Sequence, residues 1–382
     1  MINYNDINQA FPDPYDVWMG ERAVRVREQF YAGSLMGKLS AAIIAGADWL
    51  APGIVRRLFK AAPRKYPITT AQLIMMNCDV DSQSGIRALK DCAVSDFDQY
   101  GLAWGLGFNW MSKNGLYSPN MPFVTHTPYA MEALLVLAAK DPSDSSAINC
   151  FQQTWPFLES LQVMAESEDT LALSYAPLFE PRIVVNANAY AALAHMLHAQ
   201  HNETVADTAL EKARRITRFV VRSQNDNGAW HYYADNLPGN FIDCFHSCFV
   251  LKNLIKAAAL DPTIALESES AVERGFEFVQ TQFVDLDRGL VRRFVERDIT
   301  DPYRWDIYDQ AEYLGILIDL GNFSEAEKLV DQVTKDFFDG THWYCRIDIV
   351  GRKWGKDFGR WGIVPFLHQR ARLQQQLDRE QG

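Results

Sequence analysis

Residues 186–199, NANAYAALAHMLHA, read as a helix with almost no polar side, and the same texture returns at 243–259 (DCFHSCFVLKNLIKAAA) and 306–321 (DIYDQAEYLGILIDLG). A helix that is apolar all round has to be covered by neighbours on every side, whereas a surface helix shows one polar face. Two further stretches share the pattern, THTPYAMEALLVLAAK at 125–140 and RWGIVPFLHQRARL at 360–373. Counted from His126, Asn186, Asp243, Asp306 and Arg360, the spacings are 60, 57, 63 and 54 residues, so the chain repeats. One more such step back reaches Tyr66, followed by PITTAQLIMMN, a weaker sixth member.

Helices with a clearer polar face are expected between these, over 84–100, 145–164, 206–224, 270–283 and 324–338. After each comes a short run of aromatic, apolar and polar residues: LAWGLGFNW, LALSYAP, AWHYYAD, GLVRRFVER and HWYCRIDI. Asp226-Asn227-Gly228, Asp287-Arg288-Gly289 and Asp339-Gly340 precede three of them, which predicts extended segments or hairpins. Alternating inner and outer helices with every second helix buried suit a closed ring. The expected fold is therefore all-α: an α/α toroid of five or six hairpins with short β-hairpin inserts, over residues 66–382. A straight solenoid is the alternative, but its repeats are usually nearer 34 to 47 residues.

The chain has 382 residues and a net charge of −11, from 37 basic and 48 acidic side chains, which disfavours a general nucleic-acid binder. The charge is uneven. Between residues 21 and 66, nine basic residues (22, 25, 27, 38, 56, 57, 60, 64, 65) face three acidic ones (21, 28, 48), leaving −17 on the rest. Residues 1–65 are accordingly expected to form a basic helical extension. Its apolar middle, SLMGKLSAAIIAGADWLAPGIVRRLF, suits either packing on the toroid or peripheral contact with an anionic membrane. No secretory signal opens the chain and no apolar run approaches the roughly 20 residues of a spanning helix. Six cysteines without a Cys-x-x-Cys pair fit a reducing compartment, so a cytoplasmic location is expected.

The stretches 174–197 (SYAPLFEPRIVVNANAYAALAHML), 219–254 and 306–317, with PDPYDVW at 12–18, resemble the α/α-toroid proteins encoded in bacterial polysaccharide and lipopolysaccharide loci, a group often labelled dehydratases. The resemblance implies a prenyltransferase-like or terpenoid-cyclase-like ring. Phe219-Val220 with Gln224, Gly228 and Trp230 looks like the Gln-Trp repeat of triterpene cyclases, and Arg274-Gly275-x-x-Phe278-Val279 like the start of another; those residues tie an outer helix to its turn. Phe245-His246-Ser247-Cys248-Phe249 is similar to the zinc-histidine helix of prenyltransferase β subunits. That likeness would make His246 a ligand, but the matching Asp-x-Cys place holds Asn186-Ala187-Asn188, so no metal or other cofactor is expected. The cyclase acid motif is also missing its last acid, at Asp79-Val80-Asp81-Ser82.

Polar residues at the starts of the inner helices would face one end of the ring. Asp243 and Asp306 are the expected paired carboxylates, with His246 or His126 moving the proton. A sugar would be held by Trp104, Trp110, Tyr175, Trp230, Trp343 and Trp361, by Asn186, Asn188 and Asp309, and by Arg182, Arg304 and Arg360, guanidinium forks suiting an anionic sugar. The plain reading of Asp243, Asp306 and Asn186 is helix capping, and that of His246 a core histidine. The expectation is a surface-polysaccharide biosynthesis protein that binds, and modifies by hydrolysis, epimerisation or elimination, a sugar or glycan, anionic or lipid-linked. Its rivals are a non-catalytic glycan-binding or assembly factor and an isoprenoid enzyme.

Overall fold

The computed structural model describes residues 2–77, 79–112, 115–296 and 303–381; Cys78, Arg297 at the end of the fourth insert, and Gly382 lie outside them. The helices in chain order are α1 (Glu21–Tyr31), α2 (Leu35–Leu50), α3 (Pro52–Leu58), α4 (Pro67–Met76), α5 (Ser82–Lys90), α6 (Phe97–Tyr100), α7 (Thr127–Lys140), α8 (Ser146–Gln152), α9 (Trp155–Ser160), α10 (Val185–His201), α11 (Ala206–Arg222), α12 (Cys244–Ala258), α13 (Pro262–Phe283), α14 (Ile307–Asp319), α15 (Phe323–Phe337) and α16 (Val364–Gln381). The inner set is α4, α7, α10, α12, α14 and α16. Each packs on the next, and α16 returns to pack on α4, which closes an α/α toroid. The reason lies in the side chains: α10 buries every residue from Val185 to His198 and α14 every residue from Ile307 to Ile318. Outer helix α11 instead buries one stripe, Ala209, Ala213, Ile216, Thr217 and Val220.

Three outer spans differ from expectation. Residues 84–100 split into α5 and α6, and 145–164 into α8 and α9, the second split coming just before Pro156 in the first turn of α9, where a missing N–H costs nothing. Helix α13 starts earlier than 270, because Asp261 caps it by accepting from Ile264 N at 2.8 Å.

The inserts are β1 (Trp110–Ser112), β2 (Gly115–Tyr117), β3 (Val163–Glu166), β4 (Leu171–Leu173), β5 (Ile242–Asp243), β6 (Val284–Asp285), β7 (Leu290–Val291), β8 (Phe294–Glu296), β9 (Tyr303–Asp306), β10 (Tyr344–Asp348) and β11 (Lys353–Lys356). They form two-stranded antiparallel pairs and one three-stranded sheet in the order β11-β10-β9. One device fastens several of them: a polar side chain in the first turn of an inner helix satisfies the backbone of the preceding insert. Thr127 bonds Trp104 N and O, Asn188 bonds Leu173 N and O, and Gln310 bonds Val291 N and O, all within 3.2 Å.

On the outside, Gln224 donates to Gly228 O and Ala271 O, tying α11 to its turn and to α13, and Gly275 leaves the room that the Trp230 ring fills. The N-terminal arm is fastened to the ring. Phe11 is fully buried against Gly359, and Arg56 of α3 reaches Asp13 O, Pro14 O, Asp16 and Asp48. Among the described residues, no helix is long and apolar enough to cross a membrane.

Candidate functional site

Because all six inner helices run the same way, their N-termini, with the partial positive charge of the helix dipole, gather at one mouth of the ring. Asp243 caps α12 by accepting from His246 N at 3.0 Å, and its two oxygens both lie 2.8 Å from His246 Nδ1. The carboxylate therefore fixes the imidazole with Nδ1–H as donor, which leaves Nε2 as a lone-pair base. Asp243 is buried, while the His246 side chain keeps 21% of its exposure. The rings of Tyr232 and Phe245 stand 4.6 and 4.0 Å from it, centre to centre.

Aromatic contacts run along the mouth in two chains. In one, Tyr175 meets Phe123 at 5.1 Å, and Phe123 meets His126 at 5.7 Å. In the other, Arg360 lies 4.3 Å from the Trp361 ring. Trp361 stacks with Tyr308, which meets Phe245, back beside His246. Tyr175, Tyr232, Phe245, His246 and Trp361 are all half-buried, so each keeps part of its side chain open. Trp361 is set there by a left-handed backbone, φ 48° and ψ 46°, which is unusual for so large a residue.

Two groups in these chains have unmet bonding capacity. The Thr125 hydroxyl donates to Tyr175 Oη at 2.8 Å and lies 3.2 Å from His126 Nδ1, which is then the protonated nitrogen. His126 Nε2 is buried and has no partner among the described residues. Burial, reinforced by Arg360, pushes the His126 pKa down to about 3, so the ring is neutral at physiological pH. Arg360, 1% exposed, donates from Nε to Asp13 at 2.5 Å, but its Nη1 and Nη2 have no partner among the described residues.

Asp306 is given different work from the paired-carboxylate expectation. One oxygen caps α14 through Tyr308 N at 3.0 Å; the other takes Arg346 Nε at 2.7 Å and Arg293 Nη1 at 3.0 Å. Asp309 lies 3.3 Å from Arg293 Nε. Burial opposes the charge on Arg293, but Asp306 and Asp309 outweigh it and hold the guanidinium above its usual pKa. With both oxygens so engaged, Asp306 has no free edge to offer a substrate.

The other expected residues separate. Trp104 is fully buried with Nε1 on Leu89 O, Trp230 is buried with Nε1 on Val220 O, and Trp343 packs on Phe338 and Phe366, so these rings pack the protein instead of presenting a face to ligand. Trp110 sits at the rim, covered by Tyr15 and by Arg27 at 3.7 Å. Arg182 is engaged by Asp235, and Arg304 is exposed, lining a hollow with Asp285, Asp287 and Lys335. Asn188 holds the insert, and Asn186 lies buried within the first turn of α10, whose N-cap is Val184. Sequence reasoning missed the part of the Asp-Pro-Tyr-Asp motif: Asp13 anchors Arg360, and Tyr15 packs edge-on against Trp361. Below the cleft the centre of the ring is polar, with Lys252 bonded to Glu312 and Tyr129 Oη, both at 2.7 Å. Among the described residues, no three His, Cys, Asp or Glu side chains are grouped as metal ligands.

No protein-family profile matches the chain, and no curated protein matches it. Solved structures do. A sugar epimerase from a ruminal bacterium is 14% identical, with 81% of this chain and 86% of that one covered and a TM-score of 0.57. A cellobiose 2-epimerase from Spirochaeta thermophila is 16% identical, with 82% and 87% covered and a TM-score of 0.56. A glycosyl hydrolase family 88 protein from Bacteroides vulgatus is 10% identical, with 80% and 91% covered and a TM-score of 0.51. What is shared with them is the α/α-toroid fold.

Proposed function

We propose that the mouth of the ring binds a sugar or glycan and alters it by proton transfer, with His246 as the base, Asp243 orienting it and stabilising its protonated form, and Arg360 holding an anionic group of the substrate. The carrying observation is the Asp243–His246 pair, oriented by two 2.8 Å contacts with the imidazole still partly exposed; Arg360, buried against Trp361, has two donors without a partner among the described residues. Aromatic walls suit sugar rings, and the names of the solved toroids, which include sugar epimerases and a polysaccharide lyase, support a carbohydrate substrate. The polar Lys252–Glu312 centre favours this over isoprenoid chemistry, which needs a deep apolar cavity.

Of the candidate reactions, removal of a proton next to a carbonyl or carboxylate, leading to epimerisation or elimination, fits better than glycoside hydrolysis. Hydrolysis needs one carboxyl group that can be protonated and one that is ionised, both flanking the bond. Asp306 and Asp309 are ion-paired with arginine, and Asp243 is committed to His246. Proton abstraction instead needs one oriented base and positive potential for the enolate-like charge, which converging helix N-termini and Arg360 supply. The role in surface-polysaccharide synthesis, suggested by the sequence resemblance, belongs to this same reading.

The test is NMR in deuterated buffer with a panel of aldoses, disaccharides, uronates and oligouronides. The expected result is deuterium entry at the carbon beside the carbonyl or carboxylate, or a new unsaturated signal. It should be lost in His246→Gln, and Arg360→Lys should raise KM for the anionic members more than for the neutral ones. Full activity in a folded His246→Gln protein would end the assignment, and clean hydrolysis without exchange would end the preference among reactions.

A further inference from the structure

Half of the large apolar side chains exposed among the described residues fall between residues 30 and 58. They form a pattern. On α2, Leu35, Leu39 and Ile43 follow every four residues at 80, 52 and 61% exposure, on the side opposite the buried Gly37 and Asp48. Leu50, Ile54 and Leu58 continue that spacing through α3. Exposed Lys38 and Arg57 flank the stripe on these helices and Lys60 follows them, while α1 carries exposed Arg22 and Arg25 together with exposed Glu21 and Glu28; Asp48, the one acid from residue 29 to 78, is buried against Arg56. The outward surface of these two helices is thus apolar and cationic, with no exposed carboxylate.

We propose that α2 and α3 lie on an anionic lipid bilayer, sinking the stripe to the headgroup boundary while the basic side chains meet lipid phosphates. An anionic lipid surface is the occupant that suits a long apolar stripe flanked only by cations on its own two helices, the pattern of a helix lying in the headgroup region. The 16 residues of α2 are too few to span, so the helix rests on the surface. The arm also fixes the orientation. The end of α2 is held by the β10–β11 hairpin, with Arg352 donating to Trp49 O and Trp354 Nε1 to Asp48 O, and Arg27 of α1 covers Trp110 at the rim. Docking therefore sets the β10–β11 hairpin and Trp110 near the bilayer. A glycan presented on a lipid would approach the mouth from that side, a consequence that rests on the proposed glycan site.

Flotation of the full chain with phosphatidylglycerol/phosphatidylcholine vesicles tests this against pure phosphatidylcholine. The protein should float with the anionic vesicles at low salt and far less as salt is raised, since surface charge attraction is screened. Leu39→Asp with Ile43→Asp should weaken partitioning by about tenfold or more, and Lys38→Glu with Arg57→Glu should remove the preference for anionic lipid. These positions are exposed, so the melting temperature should fall only by the small helix-propensity cost of the new residues. Equal flotation with neutral vesicles, or none, overturns the proposal. So does a dimer in light scattering that the same substitutions dissociate, which would make the stripe a protein interface. Binding of soluble sugars, measured without vesicles, should be unchanged by these variants; its loss in His246→Gln or Arg360→Lys would report on the cleft alone.

Discussion

Removal of the Asp13 carboxylate is the most direct probe of how the N-terminal motif and the mouth depend on each other. Asp13 and Arg360 are 347 positions apart, both buried, with Nε and Oδ2 at 2.5 Å. Two charges about 4 Å apart attract by about 4 kcal/mol at an effective dielectric of about 20. Breaking a buried pair from one side costs about 3–5 kcal/mol, because the remaining charge is left without compensation. Asp13→Ala should therefore lower stability by that amount and loosen the arm, since Asp13 also accepts from Tyr15 N. Arg360→Met alone should cost a similar amount. The double variant should cost less than the sum of the two, with a coupling of about 2–4 kcal/mol, since no charge is then stranded. Urea denaturation gives the energies, and limited proteolysis at the arm reports its release. Additive single effects, or an arm that stays protected in Asp13→Ala, would show that the two charges are not coupled across the ring.

Stability should also fall on acidification through the buried histidines. Burial lowers His126 and His198 to about 3 and His195 to about 4, so between those values and the usual 6.5 the unfolded chain binds protons that the folded one refuses. Stability then rises with pH across that window; at pH 5 each histidine withholds about 2 kcal/mol relative to neutral pH. Asp16, raised to about 6 by burial and by Asp13, acts in the opposite sense and returns about 1 kcal/mol. A net loss of stability between pH 7 and pH 5 is expected in urea midpoints, and identical midpoints would contradict it. Separately, Gly275→Ala would place a methyl 2.4 Å from the Trp230 ring and should cost about 1–3 kcal/mol by overpacking, read as a lower Tm.

The ring was legible because its cause is periodic: helices such as 185–198, buried without interruption, announce themselves in composition. Single-residue effects carried less. Pro156 broke an outer helix and Asp261 lengthened another, each overriding a continuous polar-face pattern. Within the site, residues at the helix starts could be located, but their duties could not. Asp243 and Asp306 look alike in sequence, both preceding an apolar helix. What separates them is the company of Arg293, from the bend between β7 and β8, and Arg346, from β10, whose approach no local pattern reveals. Trp104 and Trp110 likewise look alike in sequence, yet one is buried with its indole on Leu89 O and the other is covered by Tyr15 and Arg27.

That difference between two similar caps gives a last prediction. Asn caps a helix about as well as Asp, so Asp243→Asn should keep the bond to His246 N and change stability by less than about 1 kcal/mol. It removes the charge that supports a protonated His246 and allows the amide to present N–H₂ to the ring, so proton transfer should fall by about a hundredfold or more. Asp306→Asn also keeps its cap, but leaves Arg293 and Arg346 short of a shared counter-ion in a buried site. Its cost should appear in stability, at about 3 kcal/mol or more. Deuterium exchange and denaturation measured on both variants would separate the two roles. If Asp243→Asn destabilised the protein as much as Asp306→Asn and left exchange intact, Asp243 would be a cap and His246 a buried ring with no part in chemistry.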